Sequence, residues 1–186
     1  MRPVTALCLV VLAYLGFAAF YAVKTPYRTP GLLLNQGRAL VPDIGAPDER
    51  QHVNYVTRLL DGQGFPVLVP GSPDLGETYQ AHQPPLYYVL AAGFAKVVGV
   101  GAQLRWLNIL IGIGTLLGVF YLAKWGFEDE WLGVVAAMVA GLMPMFVALH
   151  AAVGNDPLLF LLCTWTAALC ARGVRKGWSV SLALWI

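Results

Sequence analysis

Long apolar runs without charge constrain the fold of this chain more than any other feature. Residues 3–23 hold 21 such positions and residues 106–123 hold 18, against the roughly 20 that a membrane-spanning helix needs. Two further runs, at residues 131–155 and 157–171, contain 25 and 15 positions. Charged residues make up only 12% of the chain, about half the share in soluble domains. The sequence therefore predicts an all-α, polytopic membrane bundle.

We predict membrane spans at residues 3–23, 106–124, 131–150 and 157–172, and the start of a further span at 178–186. A cleaved signal peptide is the alternative interpretation of the first run. Its apolar core would be unusually long, and no small-x-small cleavage site precedes Lys24. Because the final run holds only about half a span, we expect the chain to be the N-terminal portion of a longer protein.

The topology depends on residues 86–103. If this stretch crosses the membrane with the N-terminus inside, the cluster Arg172, Arg175 and Lys176 lies outside, against the positive-inside rule. Its apolar core runs for only ten positions before Lys96, which suits a helix lying in the interface over residues 86–101. We therefore predict a cytoplasmic N-terminus and a large non-cytoplasmic first loop over residues 24–105, with juxtamembrane helices.

The predicted topology collects most of the chemically interesting side chains on the outer side. Asp48 and Glu49 follow Pro47 in the first turn of a predicted helix, where acidic side chains simply stabilise the helix dipole, or where a carboxylate beside the membrane acts as a general base. His52 shares a helix face with Asp48. A divalent metal is left open, with Asp48, His52 and His82 as its candidate ligands.

Three more motifs carry polar side chains to the same side. His82 and Gln83 precede Pro84-Pro85, which predicts either a plain turn or an extended pair at a helix entrance, with Tyr87 and Tyr88 in the headgroup layer. Arg105 is either a flanking charge or a bidentate phosphate ligand. Asp156 is either an N-cap before Pro157 or a functional acid at the membrane edge.

These motifs resemble, in their order, those of the C-type membrane glycosyltransferases, especially the bacterial branch near protein O-mannosyltransferases and lipid A aminoarabinose transferase. The resemblance covers about residues 1–175. It rests on Asp48-Glu49, Pro84-Pro85-Leu86-Tyr87-Tyr88, Arg105 and Asp156.

The resemblance implies transfer of a sugar from a polyprenyl-phosphate donor to a glycan, lipid or protein acceptor at the outer face of the cytoplasmic membrane. It implies that Asp48 is the base, with Glu49 beside it, and that Arg105 binds the leaving phosphate. Asp156 would help to bind the substrate, together with His82, Gln83 and Tyr87. Some relatives carry Glu-Lys where this chain has His82-Gln83, which leaves phosphate binding more dependent on Arg105. Metal dependence varies in the superfamily, so no cofactor is assigned.

Other functions are less consistent with the sequence. A net charge of +2 and the lack of a Lys/Arg-rich run exclude nucleic acid as a partner. A transporter would place ionisable residues near the middle of its spans, whereas here they cluster at one interface. A non-catalytic, degenerate or truncated relative stays open as the alternative to an enzyme.

Overall fold

The computed structural model describes residues 1–25, 48–73 and 78–179. This part of the chain is helical, with no strand, which confirms the predicted all-α class. It contains two short 3-10 turns, Tyr79–His82 and Ala102–Leu104. Its α-helices are α1 (Pro3–Lys24), α2 (Glu49–Leu60), α3 (Leu86–Val98), α4 (Arg105–Phe127), α5 (Glu130–Gly141), α6 (Pro144–His150) and α7 (Asp156–Lys176).

Three of these helices are long and apolar enough to cross a membrane. They are α1, α4 together with the turn before it, and α7. Helix α3 has 13 residues, which corresponds to about 20 Å, well short of a hydrocarbon core of about 30 Å. Most of the predicted further span at 178–186, and residues 26–47 of the predicted outer loop, lie outside the described residues.

The predicted span at residues 131–150 differs from what the structure shows. It is divided into α5 and α6, which are bent by 70° at Leu142 and Met143. The cause is Pro144, the first residue of α6, which has no backbone N–H to continue the hydrogen bonding of α5. Met143 consequently adopts an extended conformation between the two helices. The pair is one broken span or a re-entrant segment.

Helix α4 is the centre of the bundle and packs most extensively against α7 and α5. The C-terminal half of α1 packs beside the start of α4, where Ala22 and Ile109 belong to one buried cluster. At the other end of α4, Arg175 of α7 donates to the Gly126 carbonyl, and the Arg172 guanidinium lies 5.1 Å from the centre of the Trp125 ring. Two ends of the bundle follow from this arrangement.

We call the first the site end, comprising the end of α1, helix α2, the start of α4 and residues 151–157. The second, the opposite end, comprises the start of α1, the α4–α5 turn and the end of α7. The chain leaves the site end at Thr25 and is back there at Arg105, because Arg105 donates to the Thr25 carbonyl. Small residues allow the helices between the two ends to approach closely. A Cβ at Gly133 of α5 would lie 2.8 Å from the Phe120 carbonyl oxygen of α4.

Candidate functional site

Asp48 and His52 form a hydrogen-bonded pair at the start of α2. Asp48 is the N-cap residue of the helix, but its side chain makes no capping bond. Its Oδ2 instead lies 3.3 Å from Nε2 of His52, one turn further along. Gln80 also donates to this oxygen, at 3.3 Å. The Asp48 side chain remains 54% exposed, whereas His52 is buried. The carboxylate is therefore held on one oxygen and open to solvent.

A cavity of about 350 Å³ lies against this pair. Its size is near the lower end for small-molecule sites. Asp48 and His52 line it together with Asn155, directly before α7, and Asp156, the first residue of α7. Gln83 lines the cavity as well. The structure thus brings four sequence-predicted residues into one cavity. They are Asp48, His52, Gln83 and Asp156.

Gln83 is fixed in the cavity wall by a chain of hydrogen bonds. Asn155 donates from its amide to Oε1 of Gln83 at 3.1 Å. The Gln83 amide nitrogen lies 3.1 Å from Nε2 of His82, and Nδ1 of His82 lies 2.6 Å from the Tyr79 carbonyl oxygen. Because that carbonyl only accepts, the His82 proton sits on Nδ1 and its Nε2 accepts from Gln83. His82 is exposed and does not line the cavity; it orients Gln83.

Glu49 and Arg105 form a buried, bidentate ion pair next to the cavity. Arg105 donates from Nε to Oε1 of Glu49 at 2.7 Å and from Nη2 to Oε2 at 2.5 Å. Both residues are only 2% exposed. Nη1 of Arg105 also donates to the carbonyls of Ala22 and Thr25 at the end of α1, at 2.6 and 2.9 Å.

The same carboxylate holds a cavity wall. Oε1 of Glu49 accepts from the Val153 backbone N–H at 2.9 Å, and Val153 lines the cavity. Together with Arg105, Glu49 therefore joins α1, α2, α4 and the segment before α7 at one point. Among the described residues around the cavity no lysine or arginine lines it, so Arg105 stands behind the wall rather than in it.

Tyr87 and Tyr88 differ from the expected headgroup-layer tyrosines. Both are buried, at 2% and 0% exposure, and pack in the cluster between α2 and α3. Tyr87 lies beside Asn108 and Gly154 and is not part of the cavity wall. Tyr88 reaches Nδ1 of His52 through its hydroxyl, at 2.8 Å. The apolar periodicity of α3 turns these two rings inward, and Tyr88 contacts the side chain of the cavity residue His52.

The surroundings of His52 shift the pKa values of both of its hydrogen-bond partners, Asp48 and Tyr88. The hydrogen bond from His52 lowers the pKa of Asp48 below its ordinary value, although partial burial of the carboxyl opposes this. Burial raises the pKa of Tyr88, with smaller contributions from Tyr87, Tyr55 and the nearby carboxylates. Asp48 is thus an ionised carboxylate at neutral pH, as a proton acceptor must be, and Tyr88 keeps its proton.

The candidate metal ligands do not converge in the described structure. Asp48 and His52 are adjacent, but His82 is engaged with Tyr79 and Gln83. Across the described residues no group of three or more His, Cys, Asp or Glu side chains is arranged to hold a metal ion. We therefore assign no ligand set.

Residues 82–186 match the family described as dolichyl-phosphate-mannose-protein mannosyltransferase. The match covers more than half of the 186 residues, and the chain belongs to this family. Membership places it in the C-type superfamily of membrane glycosyltransferases, as the sequence motifs predicted. The chain is thus a membrane protein of the C-type glycosyltransferases, with glycosyltransferase activity as its general function. Comparisons with curated proteins and with solved structures gave no significant match.

Several contributors to the site were not among the predicted site residues. Gln80, Asn155 and Tyr88 each bond a predicted residue, yet none was singled out for a role. Asn155 directly precedes Asp156, and Tyr88 directly follows Tyr87. The sequence motifs therefore indicate the right positions in the chain, but they assign the site role to the neighbouring side chain. Gln80 lies 32 positions from Asp48, and no local pattern connects them.

Proposed function

We propose that the chain transfers a sugar from a polyprenyl-phosphate donor to an acceptor in the cavity between Asp48 and Asp156, at the outer face of the cytoplasmic membrane. The observation that carries the proposal is the cavity itself. It is lined by Asp48, an ionised and half-exposed carboxylate, and by the second carboxylate Asp156, in a chain whose family transfers lipid-linked sugars.

Asp48 is the proposed general base. Its carboxylate accepts the proton of an acceptor hydroxyl or amine as that group attacks the anomeric carbon. The bond from the anomeric carbon to the phosphate oxygen breaks, and its electron pair leaves with the phosphate. Gln83, Asn155 and Asp156, which line the same cavity, supply the polar groups that orient the sugar hydroxyls.

The leaving phosphate needs a positive charge, and Arg105 was predicted to supply it. In the structure its contacts include Glu49, Ala22 and Thr25, and its side chain is buried. This geometry favours a different role for the pair, in which Arg105 and Glu49 hold the cavity wall in place. The phosphate contact of Arg105 stays a prediction. Stability measurements on variants of Arg105 and Glu49 distinguish phosphate binding from the structural role.

We further propose that the site end faces the outside and the N-terminus the cytoplasm. By the positive-inside rule, basic residues in short segments next to the spans lie preferentially in the cytoplasm, and long loops count little. The opposite end carries Arg2, Lys124, Arg172, Arg175 and Lys176 in such short segments. The loop at the site end spans roughly 80 residues, which is longer than the limit of about 60 within which the rule is counted.

Cysteine labelling tests this orientation. A single cysteine at Asp61, exposed at the end of α2, should react with a membrane-impermeant maleimide in intact cells. A cysteine at Lys176, exposed at the end of α7, should react only after the membrane is opened. The native Cys8, Cys163 and Cys170 are replaced by serine or alanine beforehand. Labelling of both sites from one side would contradict the proposed topology.

Transfer from a lipid-linked donor tests the function. Membranes containing the full chain are supplied with polyprenyl-phosphate mannose labelled in the sugar, and in parallel with other polyprenyl-phosphate hexoses and pentoses. Label should move from the lipid to an acceptor with at least one donor, and not from the matching nucleotide sugar. If no lipid-linked sugar is consumed, or only the nucleotide sugar is used, the proposal fails and the non-catalytic alternative is favoured.

A further inference from the structure

His52 stands out because it is a buried imidazole in contact with the proposed base, and the proposed chemistry gives it no task. Its ring is 3% exposed and is bonded at both nitrogens. Nε2 lies 3.3 Å from Oδ2 of Asp48, and Nδ1 lies 2.8 Å from the Tyr88 hydroxyl. The inference below rests on the proposed role of Asp48.

The partners decide which nitrogen carries the proton. A carboxylate only accepts hydrogen bonds, so the neutral ring must place its single proton on Nε2, facing Asp48. Nδ1 then has a lone pair, which requires a donor. Tyr88 is that donor, because its buried hydroxyl keeps its proton. Tyr88 therefore selects the tautomer that donates to Asp48.

The ring is also held rigidly in its plane. It stacks on Tyr88 with an interplanar angle of 19°, and Tyr88 stacks in turn on Tyr55 with centroids 3.7 Å apart. A Cβ added at Gly154, which also lines the cavity, would lie 3.7 Å from Nε2 of the imidazole. Asp48 and Tyr88 contact the ring directly, and the titratable groups that act on Tyr88 are Tyr55, Tyr87, Asp48 and Asp156.

We propose that His52 is a positioning residue, which holds Oδ2 of Asp48 through its Nε2–H in a tautomer fixed by Tyr88 and leaves Oδ1 to receive the acceptor proton. Oδ2 accepts from both His52 and Gln80, and the Asp48 side chain is still 54% exposed. The arrangement fixes the carboxylate in one rotamer beside the cavity. Such pre-set geometry acts on the chemical step and not on donor binding.

Two amide substitutions separate the two ring nitrogens. The amide nitrogen of His52→Gln reaches the place of Nε2 and retains the bond to Asp48, whereas that of His52→Asn reaches only the place of Nδ1. With the best lipid-linked donor, we expect the Gln variant to keep kcat within about threefold and the Asn variant to lose about 10- to 100-fold, the lower part of the range for a proton-transfer contribution. KM for the donor should change less than threefold in both.

Tyr88→Phe tests the tautomer. With no hydroxyl to donate to Nδ1, only Asp48 favours the Nε2–H tautomer, and kcat should fall by about three- to tenfold. Tyr79→Phe is the matched control, because the Tyr79 contact with His82 is made by its backbone carbonyl. Equal kcat values for the Gln and Asn variants, or losses confined to KM, would overturn the positioning role.

The tautomer is also measurable without activity. The chain has three histidines, so selective ¹⁵N labelling gives three resolvable rings, assigned by replacing each in turn. At alkaline pH, where a free imidazole is neutral, His52 should carry its proton on Nε2 and His82 on Nδ1. A proton on Nδ1 of His52 would refute the proposal. If the expected tautomers are found but no lipid-linked sugar is consumed, the contact stands and the proposed function fails.

Discussion

Asp48→Asn should remove sugar transfer while leaving the protein folded. Asparagine has the shape of aspartate and still accepts the bond from His52, but its amide cannot take a proton from the acceptor. Loss of a positioned general base costs about 10²- to 10⁴-fold in rate. The measurement is label transfer from the lipid-linked donor by membranes that contain equal amounts of chain. KM for the donor should change little, because the base contacts the acceptor.

Asp61→Asn is the matched control. It makes the same chemical change at the other end of α2, on an exposed residue that does not line the cavity. Its transfer rate should equal that of the unchanged chain. If Asp48→Asn retains more than about a tenth of the activity, Asp48 is not the base. Loss of activity in both variants would point to a general sensitivity of α2 to charge.

The helices that follow from local composition could be predicted from the sequence. The charge-free runs at residues 3–23 and 106–123 lie within α1 and α4, two of the helices long enough to span, because apolar length is a property of neighbouring residues. A bend at Pro144 also follows from local sequence, since proline removes a backbone donor. The 25-residue length of the run at 131–155 favours one continuous span, whereas in the structure its proline divides it into two helices.

The partners of the charged residues could not be predicted in this way. Glu49 and Arg105 are 56 positions apart, and each residue type suits either an internal ion pair or a substrate contact. The sequence resemblance implies that Glu49 lies beside Asp48 in the catalytic site and that Arg105 binds the leaving phosphate, while the fold brings the two side chains to each other. The same holds for Val153, whose backbone N–H meets Glu49 from 104 positions away. Local patterns do not encode such contacts.

Glu49→Gln should destabilise the protein far more than any exposed charge change. The substitution leaves the Arg105 guanidinium buried at 2% exposure beside a neutral amide. Breaking a buried ion pair by removing one partner costs about 3–5 kcal/mol. It also weakens the contact with the Val153 N–H, so the cavity wall loosens. The measurement is the unfolding free energy of the full chain in mixed detergent micelles, titrated with a denaturing detergent.

Glu130→Gln is the matched control, because it makes the same substitution in a solvent-exposed pair. Glu130 binds Lys124 at 2.6 Å at the opposite end of the bundle, and both side chains are partly exposed. Such pairs contribute about 0.2–1 kcal/mol. A loss for Glu49→Gln no larger than this would contradict the structural role of the pair.

Arg105→Gln then separates the two roles considered for the arginine. If Arg105 holds the site together, this variant should lose about as much stability as Glu49→Gln. The double variant should lose less than the sum of the two, because residues in one buried network are not additive. If Arg105 chiefly binds the leaving phosphate, stability should be nearly unchanged and KM for the lipid-linked donor should rise. The buried bidentate geometry, with two further bonds to the end of α1, makes the first outcome the expected one.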